Sequence, residues 1–129
     1  MKIVFVDDDP LVLHSLGGMF RRLGYEVITY DTPLSCPIFT APHGTCYPES
    51  KCPDIIISDY DMPIVDGAHF LDTIMKKGCM CKRMALLSGK AVPDSVMMRL
   101  AKYGTRFFTK PLDFVELEAW IMLTKLNHH

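Results

Sequence analysis

The chain predicts a doubly wound α/β fold on a parallel sheet, and three observations carry that prediction. Its apolar runs are short, rich in β-branched residues and regularly spaced; helix-length segments separate most of them; and runs such as Ile55-Ile56-Ile57 are continuous rather than alternating. A strand covered on one face alternates polar and apolar residues, whereas a strand of a parallel sheet is buried on both faces and reads as an unbroken apolar stretch. Strands of that kind alternating with helices imply crossover connections and hence the α/β class.

Five strands are predicted, over Ile3–Val6, Glu26–Tyr30, Asp54–Ser58, Met84–Leu87 and Arg106–Thr109. The first helix has a full set of signals: Asp9 as N-cap, Pro10 at the first helical position, apolar Leu13, Leu16, Phe20 and Leu23 at helical spacing, and Gly24 as the stop. A helix over Gly67–Lys77 should stop at Gly78, one over Pro93–Tyr103 at Gly104, and the last should run over Asp113–Leu126. One connection breaks the rhythm. Between the second and third strands, Pro33, Pro37, Pro42, Pro48 and Pro53 exclude a regular helix of normal length. The second helix is therefore expected to shrink to one short turn near Pro33–Phe39, or to give way to a loop rich in proline and cysteine that holds Cys36, His43, Cys46 and Cys52.

At 129 residues there is room for one core, and 49% hydrophobic with 22% charged residues is the composition of a folded domain. Positive and negative charges nearly cancel, 14 against 15, so the basic excess that neutralises a phosphate backbone is missing and direct nucleic-acid binding is not expected. No apolar run approaches the roughly 20 residues of a membrane span, and the acids Asp7-Asp8-Asp9 follow the amino terminus too closely for a signal peptide, so a cytoplasmic protein is expected. The domain is expected to occupy residues 1–127, with His128-His129 set aside as the possible remnant of an expression tag.

Ligand sites of open parallel sheets lie at the carboxyl ends of the strands. Strand 1 ends in Asp7-Asp8, strand 3 in Asp59, strand 4 in Ser88 and strand 5 in Lys110. Four strands thus deliver three carboxylates, a hydroxyl and an ammonium to one edge. Clustered carboxylates repel one another unless a hard divalent cation sits among them, and Mg²⁺, or Mn²⁺ in its place, suits an all-oxygen set. Such a cation and Lys110 together neutralise the three acids and leave the site ready for a phosphoryl group. Taken singly, an acid after a strand is as readily a helix N-cap, and Asp9 is best read that way.

The pattern resembles a response-regulator receiver domain over nearly the whole chain. The matching segments are Phe5-Val6-Asp7-Asp8-Asp9-Pro10, Asp54 to Pro63 with Asp66-Gly67, Leu87-Ser88-Gly89, and Phe107-Phe108-Thr109-Lys110-Pro111. The resemblance implies a flavodoxin-like sheet of order 2-1-3-4-5. It implies Asp59 as phospho-acceptor, with metal held by Asp7, Asp8, Asp59 and the backbone carbonyl of Asp61. Ser88 and Lys110 would contact the phosphoryl group, Lys110-Pro111 would be cis, and Ser88 with Phe107 would form the switch. The donor would be a phosphohistidine on a sensor histidine kinase or a histidine phosphotransfer protein. Output would pass to an effector protein through helix 4, strand 5 and helix 5, with no turnover beyond self-phosphorylation and slow autodephosphorylation. Phe107 lacks the hydroxyl more often found at its position, which removes one route of output. Asp61 and Lys90 occupy two positions that tune dephosphorylation in the family; their opposite charges predict a phosphoryl lifetime of minutes or longer. With no effector segment after helix 5, a stand-alone or an excised receiver is expected.

Five cysteines are an odd number for a disulfide framework. Cys36, Cys46 and Cys52 precede strand 3, while Cys79 and Cys81 precede strand 4, so all five are expected at the amino edge of the sheet, where a metal or redox site is possible. Free thiols around an irregular loop are the plainer reading. His14, His43 and His69 show no catalytic spacing, and the nine methionines, including Met97-Met98, suit flexible core filling. Two rivals remain at this point: a degenerate receiver acting as a scaffold, and a small haloacid-dehalogenase-like phosphatase using Asp59-Tyr60-Asp61.

Overall fold

A computed structural model describes residues 1–41 and 52–126. The elements are β1 (Lys2–Val6), α1 (Pro10–Arg22), β2 (Glu26–Tyr30), a 3₁₀ turn (Pro33–Ser35), α2 (Pro37–Thr40), β3 (Ile55–Asp59), α3 (Gly67–Lys76), β4 (Arg83–Ser88), α4 (Asp94–Ala101), β5 (Arg106–Thr109) and α5 (Phe114–Leu126). The strands form one parallel sheet in the order β2-β1-β3-β4-β5, as expected.

The unbroken apolar strands serve two cores. Ile3, Phe5, Ile55, Ile57, Ala85 and Leu87 point to one face, where they meet Phe20 of α1 and Leu117, Trp120 and Ile121 of α5. Their neighbours Val4, Val6, Ile56, Met84 and Leu86 point to the other face and meet α3 and Leu100 of α4. Period-two geometry divides each run between the faces, which is why the buried strand positions are mostly apolar; buried Ser58 in β3 donates its hydroxyl to Asp59 O at 2.9 Å.

Asp9 caps α1 by accepting a hydrogen bond from Leu11 N at 2.9 Å, with Pro10 at the start of the helix. The predicted stops Gly24, Gly78 and Gly104 all have positive φ, at 94°, 89° and 72°. Among the described residues of the proline-rich connection, a 3₁₀ turn and a four-residue α2 form, in keeping with the short helical turn expected near Pro33–Phe39. Lys77 Nζ donates to the carbonyls of Phe39 and Ala41 and so closes the carboxyl end of α2 from the end of α3.

Several boundaries move. Asp59 lies inside β3 because it pairs with Leu87, and β4 extends over Arg83 and Ser88 for the same reason. α4 is shorter than expected: Pro93 stands before it and the chain turns after Ala101 toward Gly104. Asp113 is a cap and not the first helical residue of α5, its Oδ1 accepting from Val115 N at 3.0 Å and Glu116 N at 3.3 Å. Leu23 is 47% exposed and caps α1 without joining the core.

Candidate functional site

Hydrogen bonds that continue past the strand ends fix the carboxyl edge of the sheet. Asp7 N donates to Tyr30 O at 3.1 Å, Tyr60 N to Leu87 O at 2.8 Å, and Lys110 N to Ser88 O at 2.8 Å. Each polar residue at this edge is thus held by the strand beside it. Ligand oxygens of Asp7, Asp8 and Asp59 lie within 4.8 Å of one another, the one such group of three among the described residues. Asp7 and Asp59 are buried and Asp8 is exposed, so one side of the cluster faces solvent.

Lys110 Nζ stands 2.8 Å from Asp59 Oδ1 and 3.6 Å from Asp7 Oδ2. Burial raises the pKa of Asp7 to about 6; the hydrogen bond from Asp9 N opposes this, the charge of Asp59 adds to it, and Lys110 again opposes it. Asp59 is also raised, by burial first, with Lys110 pulling the other way. For Lys110 burial disfavours the charge, but the hydrogen bond to Asp59 and the fields of Asp7 and Asp59 outweigh it, and the ammonium is held above its ordinary value.

Asp7 Oδ1 accepts from Asp9 N at 2.9 Å, whereas Oδ2 is buried with no hydrogen-bond donor. A buried carboxylate oxygen lacking a donor, beside two further carboxylates, fits a hard divalent cation with oxygen ligands. One lysine does not neutralise three acids. The donor set therefore suits Mg²⁺ or Mn²⁺.

Ser88 is buried and faces the loop after β4: its Oγ donates to Lys90 O at 2.5 Å and accepts from Lys90 N at 3.1 Å. Phe107 is half-buried against the core on the α3 and α4 face. Lys90 Nζ lies 3.3 Å from Asp61 Oδ2, and both side chains are well exposed. Lys110-Pro111 is cis. In the loop leading to α3, Ile64 has φ of 70° and Val65 N donates to Pro63 O at 2.8 Å, a tight three-residue turn. Asp66 caps α3 through a 2.7 Å bond from His69 N, and Gly67 N donates to Tyr60 O at 2.9 Å.

A Cβ on Gly67 would stand 2.0 Å from Asp59 O. The residue that begins α3 thus packs directly on the backbone of Asp59.

At the opposite edge, Cys52 Sγ lies 3.5 Å from Cys79 Sγ, and Cys36 is buried in the same core. Cys81 Sγ points to Met75 Sδ at 3.9 Å. Of the expected gathering the structure brings Cys52 and Cys79 together; Cys46 and His43 lie outside the described residues, as do His128 and His129. Among the described residues, no three thiols converge as metal ligands. His14 and His69 are exposed, on α1 and α3.

The sequence reading missed Asp72. Its buried carboxylate accepts from Tyr103 O–H at 2.8 Å and pairs with Lys76 at 3.1 Å and Arg99 at 3.9 Å, linking α3 to α4. Burial opposes its charge, but these donors prevail and hold it below the ordinary carboxylate range. The spacing of Asp72 and Lys76, one helical turn, was the available signal.

Strand order and edge chemistry together define an α/β domain of flavodoxin-like architecture with an acidic pocket at the carboxyl edge. The chain belongs to the response regulator receiver domain family, whose model matches residues 3–122. Among curated proteins it is 27% identical over 129 residues, 98% of the chain, to the two-component response regulator ARR18 of Arabidopsis thaliana. It is 29% identical over 118 residues, 91% of the chain, to ORR26 of Oryza sativa subsp. japonica. The chain spans about a fifth of the length of these relatives, 19% of each. Among solved structures, the CheY-like receiver domain protein from Methanospirillum hungatei JF-1 superposes with a TM-score of 0.78 at 21% identity, covering 98% of this chain and 94% of that one. The receiver domain of the Francisella response regulator 1452 gives 0.77 at 19% identity, covering 99% and 98%. The protein is thus a receiver domain of two-component signalling, and the family match displaces the haloacid-dehalogenase alternative.

Proposed function

We propose that Asp59 accepts a phosphoryl group from a phosphohistidine on a sensor histidine kinase or phosphotransfer protein, in the cytoplasm. One observation carries the reading: Asp59 shares an edge pocket with Asp7 and Asp8, its Oδ1 is 2.8 Å from Lys110 Nζ, and Asp7 Oδ2 is buried without a donor. A carboxylate oxygen of Asp59 attacks phosphorus; the P–O bond forms as the P–N bond breaks, and the departing imidazole nitrogen keeps the electron pair and takes up a proton. Phosphoryl transfer needs chiefly positioning and charge neutralisation. Lys110 opposes the rise that burial imposes on Asp59 and would pair with the incoming oxygens. Asp7, Asp8, Asp59 and the carbonyl of Asp61 would hold Mg²⁺ or Mn²⁺. When bound, the cation offsets the charge of the acids and of the phosphoryl oxygens.

The donor would reach the pocket over a groove of about 330 Å³ between α1 and the β5–α5 connection, lined by Leu11, Leu16, Lys110, Pro111, Leu112 and Phe114. Leu11 is 75% exposed on its rim, and Lys110 belongs to both groove and site. Phosphorylation brings about −1.5 to −2 charges and strong acceptors, which would draw the Ser88 hydroxyl from Lys90 and free the loop before α4. Phe107 would follow by packing, altering the α4–β5–α5 surface presented to an effector. The test is intact-mass measurement after acetyl phosphate: one phosphoryl group gained with Mg²⁺ supports the reading, and none gained by folded protein leaves a scaffold.

In this reading the Asp61–Lys90 pair would hinder the approach of the hydrolytic water. Exposed pairs are worth roughly 0.2–1 kcal/mol, so Lys90→Ala is expected to shorten the phosphoryl lifetime by at most about fivefold. Decay of the phosphorylated mass after donor removal measures it, and an unchanged or longer lifetime removes the pair from the account.

A further inference from the structure

The buried carboxylate of Asp72 takes no part in the phosphorylation chemistry, yet three side chains converge on it. Tyr103 O–H donates to Oδ1 at 2.8 Å, while Lys76 Nζ lies 3.1 Å and Arg99 Nε 3.9 Å from Oδ2. Lys76 comes from the same helix as Asp72, one turn on; Arg99 lies in the last turn of α4 and Tyr103 just beyond it. These donors hold Asp72 in its charged form in spite of burial, and Tyr103, raised by burial and by the carboxylate, keeps its proton to donate. Moving the carboxyl end of α4 away from α3 would strip a buried carboxylate of its hydroxyl donor and of one of its two cations, which is costly. The amino end of α4 is held differently. Pro93 stands at the cap position with no side-chain hydrogen bond, and Leu100, in the last turn, is the residue of the helix that is buried. The loop before α4 is closed by the Ser88 hydroxyl on the backbone of Lys90.

We infer that the Asp72 cluster is the fixed end of a hinge: it pins the carboxyl end of α4 to α3 in both signalling states, so that α4 moves at its amino end, a motion that takes its trigger from the phosphorylation of Asp59 proposed above. The anchor itself stands on contacts of the unmodified protein. Once Ser88 releases Lys90, the first turn of α4 has no side-chain cap to hold it, whereas Arg99 and Tyr103 stay on Asp72. The helix then tilts about its last turn and carries Met97 and Met98, the latter 75% exposed, to a new position relative to β5 and α5. Neither the sheet nor α3 needs to shift for this to happen.

Backbone amide hydrogen exchange of the full protein, followed by NMR, tests the hinge. Asp72→Asn and Tyr103→Phe should each speed exchange at Leu100, Ala101, Tyr103 and Gly104 by about tenfold or more, the scale of losing a hydrogen bond to a charged group, and leave the amides of β1 and β3 unchanged. Tyr103→Phe removes a single oxygen and decides the point if Asp72→Asn does not fold. Beryllofluoride with Mg²⁺, which imitates a phosphoryl group on an aspartate, should alter shifts and exchange of the wild-type protein over Ser88–Met97 and not over Leu100–Gly104; in either variant the change should run through both stretches. Unchanged exchange at Leu100–Gly104 in Tyr103→Phe, or a wild-type response to beryllofluoride as large there as over Ser88–Met97, overturns the inference. A wild-type protein with no response around Asp59 overturns the phosphorylation reading and the hinge with it, whereas the anchor is judged by the variants alone.

Discussion

Gly67→Ala is expected to lower the unfolding free energy by about 3 kcal/mol, at the upper end of what overpacking costs. The added Cβ would stand 2.0 Å from Asp59 O, 2.9 Å from Asp59 C and 2.8 Å from Leu86 Cδ1. A flexible side chain could yield, but two of these atoms are backbone of β3. Relief requires α3 to lift off or the end of β3 to shift, and either displaces the Asp59 carboxylate. Phosphoryl incorporation should therefore fall with stability. Gly18→Ala in α1 is the control: its Cβ meets only Arg22 Nη2, at 3.9 Å, and a helical glycine gains about 0.5–1 kcal/mol on becoming alanine. Urea unfolding of the two variants checks the contrast, and equal midpoints would contradict the contact.

Lys110→Met is the second large effect. It leaves Asp7 and Asp59 buried without their cation, a change that costs about 3–5 kcal/mol for a fully buried pair. Because Lys110 keeps 31% of its side-chain exposure, about 2 kcal/mol is expected at pH 7.5 without metal. The deficit should shrink on acidification. Asp7 has a folded pKa of about 6 against an ordinary 3.8, so its protonated form is the one the fold favours, and Asp59 shifts in the same direction. As pH falls below about 6 Asp7 takes up a proton, and the missing ammonium matters less. Mg²⁺ should shrink the deficit too. Incorporation from acetyl phosphate should slow by about 100-fold, the scale of losing one preorganised charge donor. Chemical unfolding at pH 5 and 7.5, with and without Mg²⁺, reads the first effect; a deficit independent of both would contradict the charge account.

Much of this site was legible in the sequence because strand ends are marked twice, by the close of an apolar run and by the polar residue that follows. Asp7, Asp59, Ser88 and Lys110 were placed that way, and the sheet order followed from the family resemblance. Helix ends were legible where glycine must adopt positive φ, as at Gly24, Gly78 and Gly104. The contacts of α2 were not. Five prolines excluded a long helix, but that Lys77 would reach back to the carbonyls of Phe39 and Ala41 depends on how α3 packs across 36 or more residues of chain. Asp72 was hidden for a similar reason: the partners that make its burial tolerable, Tyr103 and Arg99, come from the next helix unit. Ser88 was assigned a role at the phosphoryl group, yet its hydroxyl is held by the backbone of Lys90, a local turn that residue type alone does not reveal.

The claim that Asp59 is the acceptor is tested most directly by marking the phosphorylated residue. The protein is phosphorylated with acetyl phosphate and Mg²⁺, the acyl phosphate is reduced with borohydride, and the tryptic peptides Ile3–Arg21 and Cys52–Lys76 are sequenced by mass spectrometry. The account predicts homoserine at position 59, absent when Mg²⁺ is chelated and absent in Asp59→Asn. Homoserine at Asp7, Asp8 or Asp61, or its persistence in Asp59→Asn, would contradict it.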